Sequence, residues 1–280
     1  MSKVPPLLEP LLGRLPPEAA LVVVTSVLGA SANWLVLRWV YALLGGRRRE
    51  DEGEDGDGVA VVLVSFMRDE AFWREGGARM GLDLDAHARA GRFVLVDGLS
   101  ALFAPRSAGP GGGGVLGSAG LDDVRRGIED ALGGVRGRAT VLVVDQVDAL
   151  LAAAGPGDGV TSLAVQNMLL SLRERVHATI LTLAADDALL HGRRGATRLE
   201  REHAALVLSQ AHAARAVVGL RMLDTGAARD VSGVVRVAVR ADDDDDARRG
   251  GWAAADAMAD VEYLYHVAGD GAVRVFERGA

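Results

Sequence analysis

The 280 residues are 49% hydrophobic and 25% charged, which is ordinary globular composition and not that of a disordered chain. Lys+Arg number 31 against Asp+Glu 38, a net charge of −7, so no overall basic character advertises nucleic-acid binding. With no cysteine, disulfides and thiolate metal sites are excluded and a reducing compartment is compatible.

The proline-rich segment 1–17 lacks the basic-then-apolar order of a secretory leader. Valine-rich runs follow at 21–25, 59–66, 93–97, 141–145 and 179–183, each reading as a strand buried on both faces. Between the first two, an apolar helix is expected over 32–44. It is interrupted by Asn33 and Arg38 and falls short of the roughly 20 residues needed to cross a bilayer. The chain is therefore expected to be soluble and intracellular, in the cytoplasm or nucleus. The apolar surplus at 34–44 fits either a helix sandwiched inside the domain or a permanent partner surface. Later, Leu121, Val124, Ile128 and Leu132 share one helical stripe, as do Val165, Met168, Leu169, Leu172 and Val176. Thr197 and Glu200 form a capping-box pair at the head of a helix over 198–212.

Beyond that helix the alternation stops. Runs at 216–220, 234–239, 263–267 and 272–276 read as strands with no helices between them, and Ala268-Gly269-Asp270-Gly271 is a hairpin signal. The fold class is thus α/β: a mainly parallel sheet covered by helices in three layers, extended by C-terminal antiparallel strands. One domain over 1–280 is expected, with flexible insertions at 45–58, 104–120 and 241–251, all glycine-rich or acidic.

A nucleotide-binding sheet needs glycines after its first strand for close backbone approach to phosphate. It also needs a lysine for the terminal phosphates and a Ser/Thr for Mg²⁺. The stretch Thr25-Ser26-Val27-Leu28-Gly29-Ala30-Ser31-Ala32-Asn33 has the right place but one glycine and no lysine. Ser26 and Ser31 are expected to cap the helix, and hydrolysis of ATP by the chain alone is not expected. Asp145, ending an apolar strand, is either a carboxylate oriented toward Mg²⁺ or a structural residue, and Asp148 is expected as a turn or cap residue. The six histidines show no HExxH or paired spacing, and no nucleophile elbow or dinucleotide fingerprint is present, so no metal, cofactor or catalytic residue is assigned. Arg193, Arg194 and Arg198 cluster at a loop–helix junction. There they either contact nucleic-acid phosphates or belong to a solvated loop.

Three stretches carry a family resemblance: Ser65-Phe66-Met67-Arg68-Asp69-Glu70-Ala71-Phe72-Trp73, then Met80-Gly81-Leu82-Asp83-Leu84, then Phe93-Val94-Leu95-Val96-Asp97-Gly98-Leu99-Ser100-Ala101-Leu102-Phe103. They resemble the Elongator complex protein 6 family, RecA-like accessory subunits without an intact phosphate-binding loop. The resemblance extends over 21–190 as element order and is specific in 65–103. It implies a RecA-like domain that is not itself an enzyme. It further implies a hetero-hexameric ring with Elongator subunits four and five, attachment to the larger Elongator complex, and tRNA binding in support of wobble-uridine modification. It points to the loop 186–197, with Arg193, Arg194 and Arg198, as facing tRNA. Phe66, Phe72 and Trp73 are large groups suited to core packing or to a partner surface.

Overall fold

The valine-rich runs form strands whose alternate side chains enter two separate helical layers. A computed structural model describes residues 3–45, 58–100, 114–136, 139–154, 159–191, 196–224, 228–240 and 260–277. The strands are β1 Leu21–Ser26, β2 Val59–Ser65, β3 Phe93–Asp97, β4 Gly114–Val115, β5 Ala139–Asp145, β6 Ala178–Ala184, β7 Ala216–Arg221, β8 Gly233–Val239, β9 Asp260–Val267 and β10 Val273–Phe276. They join one sheet in the order β10-β9-β8-β7-β1-β6-β5-β2-β3-β4. From β7 to β4 all neighbours are parallel. The three C-terminal strands are antiparallel. Both halves agree with the expectation from sequence.

The helices are α1 Glu9–Leu12, α2 Asn33–Gly45, α3 Glu70–Arg79, α4 Leu84–Arg89, α5 Leu121–Gly134, α6 Ala149–Ala153, α7 Ser162–Arg173, α8 Asp187–Leu190 and α9 Arg198–Ala213. On one face Val22 and Val24 of β1, Val61 and Leu63 of β2, and Val141 and Val143 of β5 meet α1 to α4. On the other, Leu21, Val23, Val62, Val64, Leu142 and Val144 meet α5, α6, α7 and α9. Burial on both faces is why these strands read as continuous apolar runs.

Helix α2 is apolar all round because it is sandwiched. Trp34, Leu35, Val36, Trp39, Val40, Leu43 and Leu44 are buried, and Trp34 lies 5.0 Å from the Tyr265 ring of β9. Most of 34–44 is therefore covered within the chain, with Leu37, Tyr41 and Ala42 only partly buried. Arg38 is buried with them. Its guanidinium donates to the carbonyls of Trp34 (3.3 Å) and Gly271 (2.7 Å), tying α2 to the β9–β10 turn, and burial pushes its pKa down to about 10. The N-terminal segment, unassigned from sequence, adds a short 3-10 turn and α1, which bury Leu8, Leu11 and Leu12. Among the described residues no helix is long and apolar enough to cross a membrane.

Of the insertions expected at 45–58, 104–120 and 241–251, residues 46–57, 104–113 and 241–251 lie outside the described residues. The tail of the second, 114–120, is not the plain loop expected. Gly114 and Val115 pair parallel with Val96 and Asp97, and Leu116 is buried against α5 beside Gly127. A single leucine after four glycines was enough to attach an edge strand. Leu116→Ala is expected to cost about 2–4 kcal/mol, whereas Val115→Ala, at a half-exposed position, should cost less than about 0.5 kcal/mol. Urea denaturation of the two variants checks this.

Candidate functional site

In open α/β sheets, ligands enter where neighbouring strands send their helices to opposite faces, outside the carboxyl ends of those strands. Among the described residues the sheet shows two such places. Strand β1 leads to α2 on one face while its neighbour β6 leads to α9 on the other. Strand β2 leads to α3 while its neighbour β5 leads to α7.

At the β1/β6 crevice the loop after Ser26 turns through Val27 and Ala30, whose N–H donates to the Val27 carbonyl at 2.9 Å. Gly29 has φ +90, and a Cβ there would sit 3.1 Å from the Met222 sulfur, so both backbone and space require glycine. The Leu28 N–H, where a phosphate-binding loop would offer amides to an anion, donates instead to Asp186 Oδ1 at 2.8 Å. Ser31 Oγ accepts from the Asn33 N–H at 3.2 Å, in line with its expected capping role. Ser26, by contrast, is the buried last residue of β1 and caps nothing in α2.

At the β5/β2 crevice, register sets Ser65 opposite Asp145 and places Thr182 one step beyond the Val144–Leu181 pair. The carboxylate, 1% exposed, accepts from Ser65 Oγ at Oδ2 and from Thr182 Oγ1 at Oδ1, both at 2.9 Å. Each hydroxyl in turn accepts a backbone amide, Arg68 N–H at 3.1 Å and Gln146 N–H at 2.8 Å. Gln146 adopts φ 56, uncommon for a residue with a Cβ, and its amide bond to Thr182 holds it there. Burial pushes the Asp145 carboxyl above its ordinary range, and the two hydroxyls and Arg68 oppose that rise. Both oxygens are thus engaged by the chain itself.

Asp148 lies in the turn after β5, as expected, but without a side-chain cap. It stands at the N-cap of α6, yet its side chain makes no capping bond. Instead it is buried, with Oδ2 accepting the Ala184 N–H at 3.3 Å and lying 3.7 Å from His203 Nδ1 of α9.

Of the three arginines singled out, Arg193 and Arg194 lie outside the described residues, and Arg198 is exposed as the first residue of α9. Its helix start carries the capping box read from sequence. Thr197 Oγ1 accepts the Glu200 N–H and Glu200 reaches back to the Thr197 amide. Phe66 and Trp73 are core residues, while Phe72 is half-buried under the Arg68 guanidinium at 5.1 Å. An open depression between α3 and α4 is lined by Arg74, Glu75, Asp83 and Asp85, with Arg74 already paired to Glu70 and Asp85. Among the described residues no group of three or more His, Asp or Glu is placed to hold a metal.

Ser65→Ala tests the Asp145 cluster. The hydroxyl favours the charged carboxylate, so its removal raises the folded-state pKa further. A raised acid contributes stability that is full below its unfolded value and is lost as pH rises through the folded one. The variant should lose about 1–3 kcal/mol near pH 7 and distinctly less near pH 4, as measured by urea denaturation at both.

No protein-family model matches the sequence, and no curated protein matches it. A solved structure does match: the KaiC-like protein of the hyperthermophilic archaeon Pyrococcus horikoshii, with a TM-score of 0.56 at 17% identity, covering 98% of this chain and 97% of that one. The match runs end to end over both chains. The chain has the KaiC-like form of the RecA fold.

Proposed function

We propose that the chain is a non-catalytic RecA-like subunit of an Elongator-type accessory hetero-hexamer. Its partners are subunits four and five and the larger Elongator complex, in the cytoplasm or nucleus, and it supports tRNA binding and wobble-uridine modification. The observation that supports the non-catalytic part is that the Leu28 amide and both Asp145 oxygens are already hydrogen-bonded within the chain. A phosphate brought to the Leu28 amide would meet the Asp186 carboxylate, like charge against like, and no lysine in 25–33 offsets it. Asp145 would have to give up a hydroxyl bond to orient Mg²⁺ through water. The Elongator part rests on the resemblance of 65–103, and the RecA-like fold is compatible with it.

Isothermal titration of the isolated chain with Mg-ATP is expected to show no binding in the low-micromolar range. Low-micromolar affinity that disappears in Asp145→Ala would favour the other reading, an ATPase or kinase-like enzyme with a degenerate loop. The position of Asp145 at the end of β5 is what keeps that reading in view.

For the RNA part, Arg193, Arg194 and Arg198 neutralise backbone phosphate without reading bases. Changing all three to alanine in the reconstituted ring should weaken tRNA binding, and the slope of log affinity against log salt should fall by about two to three. Ring assembly should be unaffected. An intact mutant ring with unchanged affinity and slope removes this loop from the RNA site.

A further inference from the structure

The overall charge of −7 hides an uneven distribution. At the amino ends of the parallel strands, away from both crevices, arginines stand in a row, and backbone bonds fix their order. The Arg240 amide donates to the Arg215 carbonyl at 2.8 Å, and the Arg215 amide to the Leu21 carbonyl at 2.8 Å. The Ala19 amide donates to the His177 carbonyl at 2.7 Å, and the His177 amide to the Thr140 carbonyl at 2.8 Å. The Arg136 amide reaches the Gly91 carbonyl at 2.7 Å, and the Val61 amide the Arg92 carbonyl at 2.9 Å. With Arg173 and Arg175 just ahead of β6, the row runs from β8 across to β3. At about 4.8 Å per strand that is roughly 30 Å.

Several of these guanidinium groups are held by carbonyl oxygens, which leave the positive charge uncancelled. Arg92 donates to the carbonyls of Val59 at 3.3 Å and Leu44 at 3.2 Å, Arg173 to that of Ala19 at 3.4 Å, and Arg240 to that of His212. A guanidinium anchored in this way still has N–H groups to offer an anion. Arg136, Arg175 and Arg240 are exposed. Arg175 pairs with Glu129 at 2.8 Å, an acid that Arg125 also approaches. Against the row stand the exposed acids Glu18, Asp130 and Glu174, and in sequence the acidic runs 50–57 and 242–246 follow α2 and β8. These acids weaken the hold on any polyanion, so binding belongs to low salt.

The surroundings favour one kind of partner. Among the described residues, no exposed large apolar side chain lies in 89–92, 135–136, 173–177, 212–215 or 239–240. A protein interface builds on an apolar or aromatic centre, and a membrane surface takes up apolar side chains. A phosphodiester backbone asks only for spaced cations.

We infer that this arginine belt binds the phosphodiester backbone of a single-stranded nucleic acid. It lies at the opposite end of β6 from the start of the loop 186–197, so it is a separate surface and does not rest on the Elongator reading.

Fluorescence anisotropy with a labelled oligouridylate of about 20 nucleotides tests the belt. The purified full chain is used with Arg193, Arg194 and Arg198 already changed to alanine. The loop then contributes to no arm, and its own failure or success as an RNA site is a separate result. At about 50 mM salt this chain should bind the oligonucleotide. Adding Arg136→Gln, Arg175→Gln and Arg240→Gln together should weaken binding about tenfold or more, and the slope of log affinity against log salt should fall by about two. Adding instead Arg126→Gln, Arg236→Gln and Arg274→Gln, an equal change of net charge away from the strand starts, should leave affinity and slope nearly as they were. No binding at about 50 mM salt, or an equal loss in the second set, overturns the inference. So does displacement by polyglutamate as readily as by unlabelled oligouridylate, which assigns the belt to an acidic protein. Should the first set fail to fold by circular dichroism, Arg136→Gln and Arg240→Gln made singly decide, each expected to lower the slope by about 0.7.

Discussion

A carboxylate placed where water cannot reach it must be satisfied by its neighbours, and Asp145 imposes that condition on the centre of this sheet. Its hydroxyl donors come from the strands on either side, Ser65 from β2 and Thr182 from β6. Because each hydroxyl also takes an amide from a turn, the acid fixes how the chain leaves β2 and how it leaves β5. Shifting one strand by a single residue would turn its hydroxyl to the opposite face and leave a buried oxygen bare, at a cost of about 1–3 kcal/mol. The strand register and the closed state of the β5/β2 crevice are thus one constraint.

The same economy holds at the second crevice. Asp186 satisfies the Leu28 amide, and Gly29 lets the loop lie against Met222. RecA-like sheets commonly leave such amides for a ligand, since helix starts and tight loops there are ready anion sites. Here Asp186 takes the Leu28 amide, and Asp145 takes the Ser65 and Thr182 hydroxyls. The likeness to the KaiC-like protein therefore extends to the scaffold, at an identity of 17% that speaks for the fold alone.

What the sequence disclosed follows from how local each signal is. Strands β1, β2, β3, β5 and β6 were legible as short valine and leucine runs covered on both faces, and β7 and β8 as valine-rich runs with one face only partly covered. Strand β9 begins at Asp260, ahead of the apolar run starting at Tyr263, because its outer face is polar and cross-strand pairing with β8 defines it. The capping box at Thr197 and Glu200 spans three residues and was readable directly. By contrast, the Leu28–Asp186 bond joins positions 158 apart, and Ser65, Asp145 and Thr182 are equally scattered. Nothing in their local sequence marks them as partners. The local sequence showed the turn at Asp148 but not its neighbour His203 on α9. Hydroxyl residues at the ends of strands flanking Asp145 were the one signal that sheet order would have made usable.

The two halves of the sheet are unequally protected. From β1 to β3 both faces are covered by helices, whereas the outer face of β7 to β9 carries the part-buried pair Arg221–Glu262 and the exposed pair Arg236–Asp260, with Arg274 exposed on β10. Surface pairs of this kind contribute little to stability, so the last strands depend on the single apolar layer beneath them. The molecule is therefore mechanically graded from a rigid parallel block to a softer antiparallel margin. A pull on the C-terminus would peel β10 and then β9 away one at a time before the parallel block felt any load.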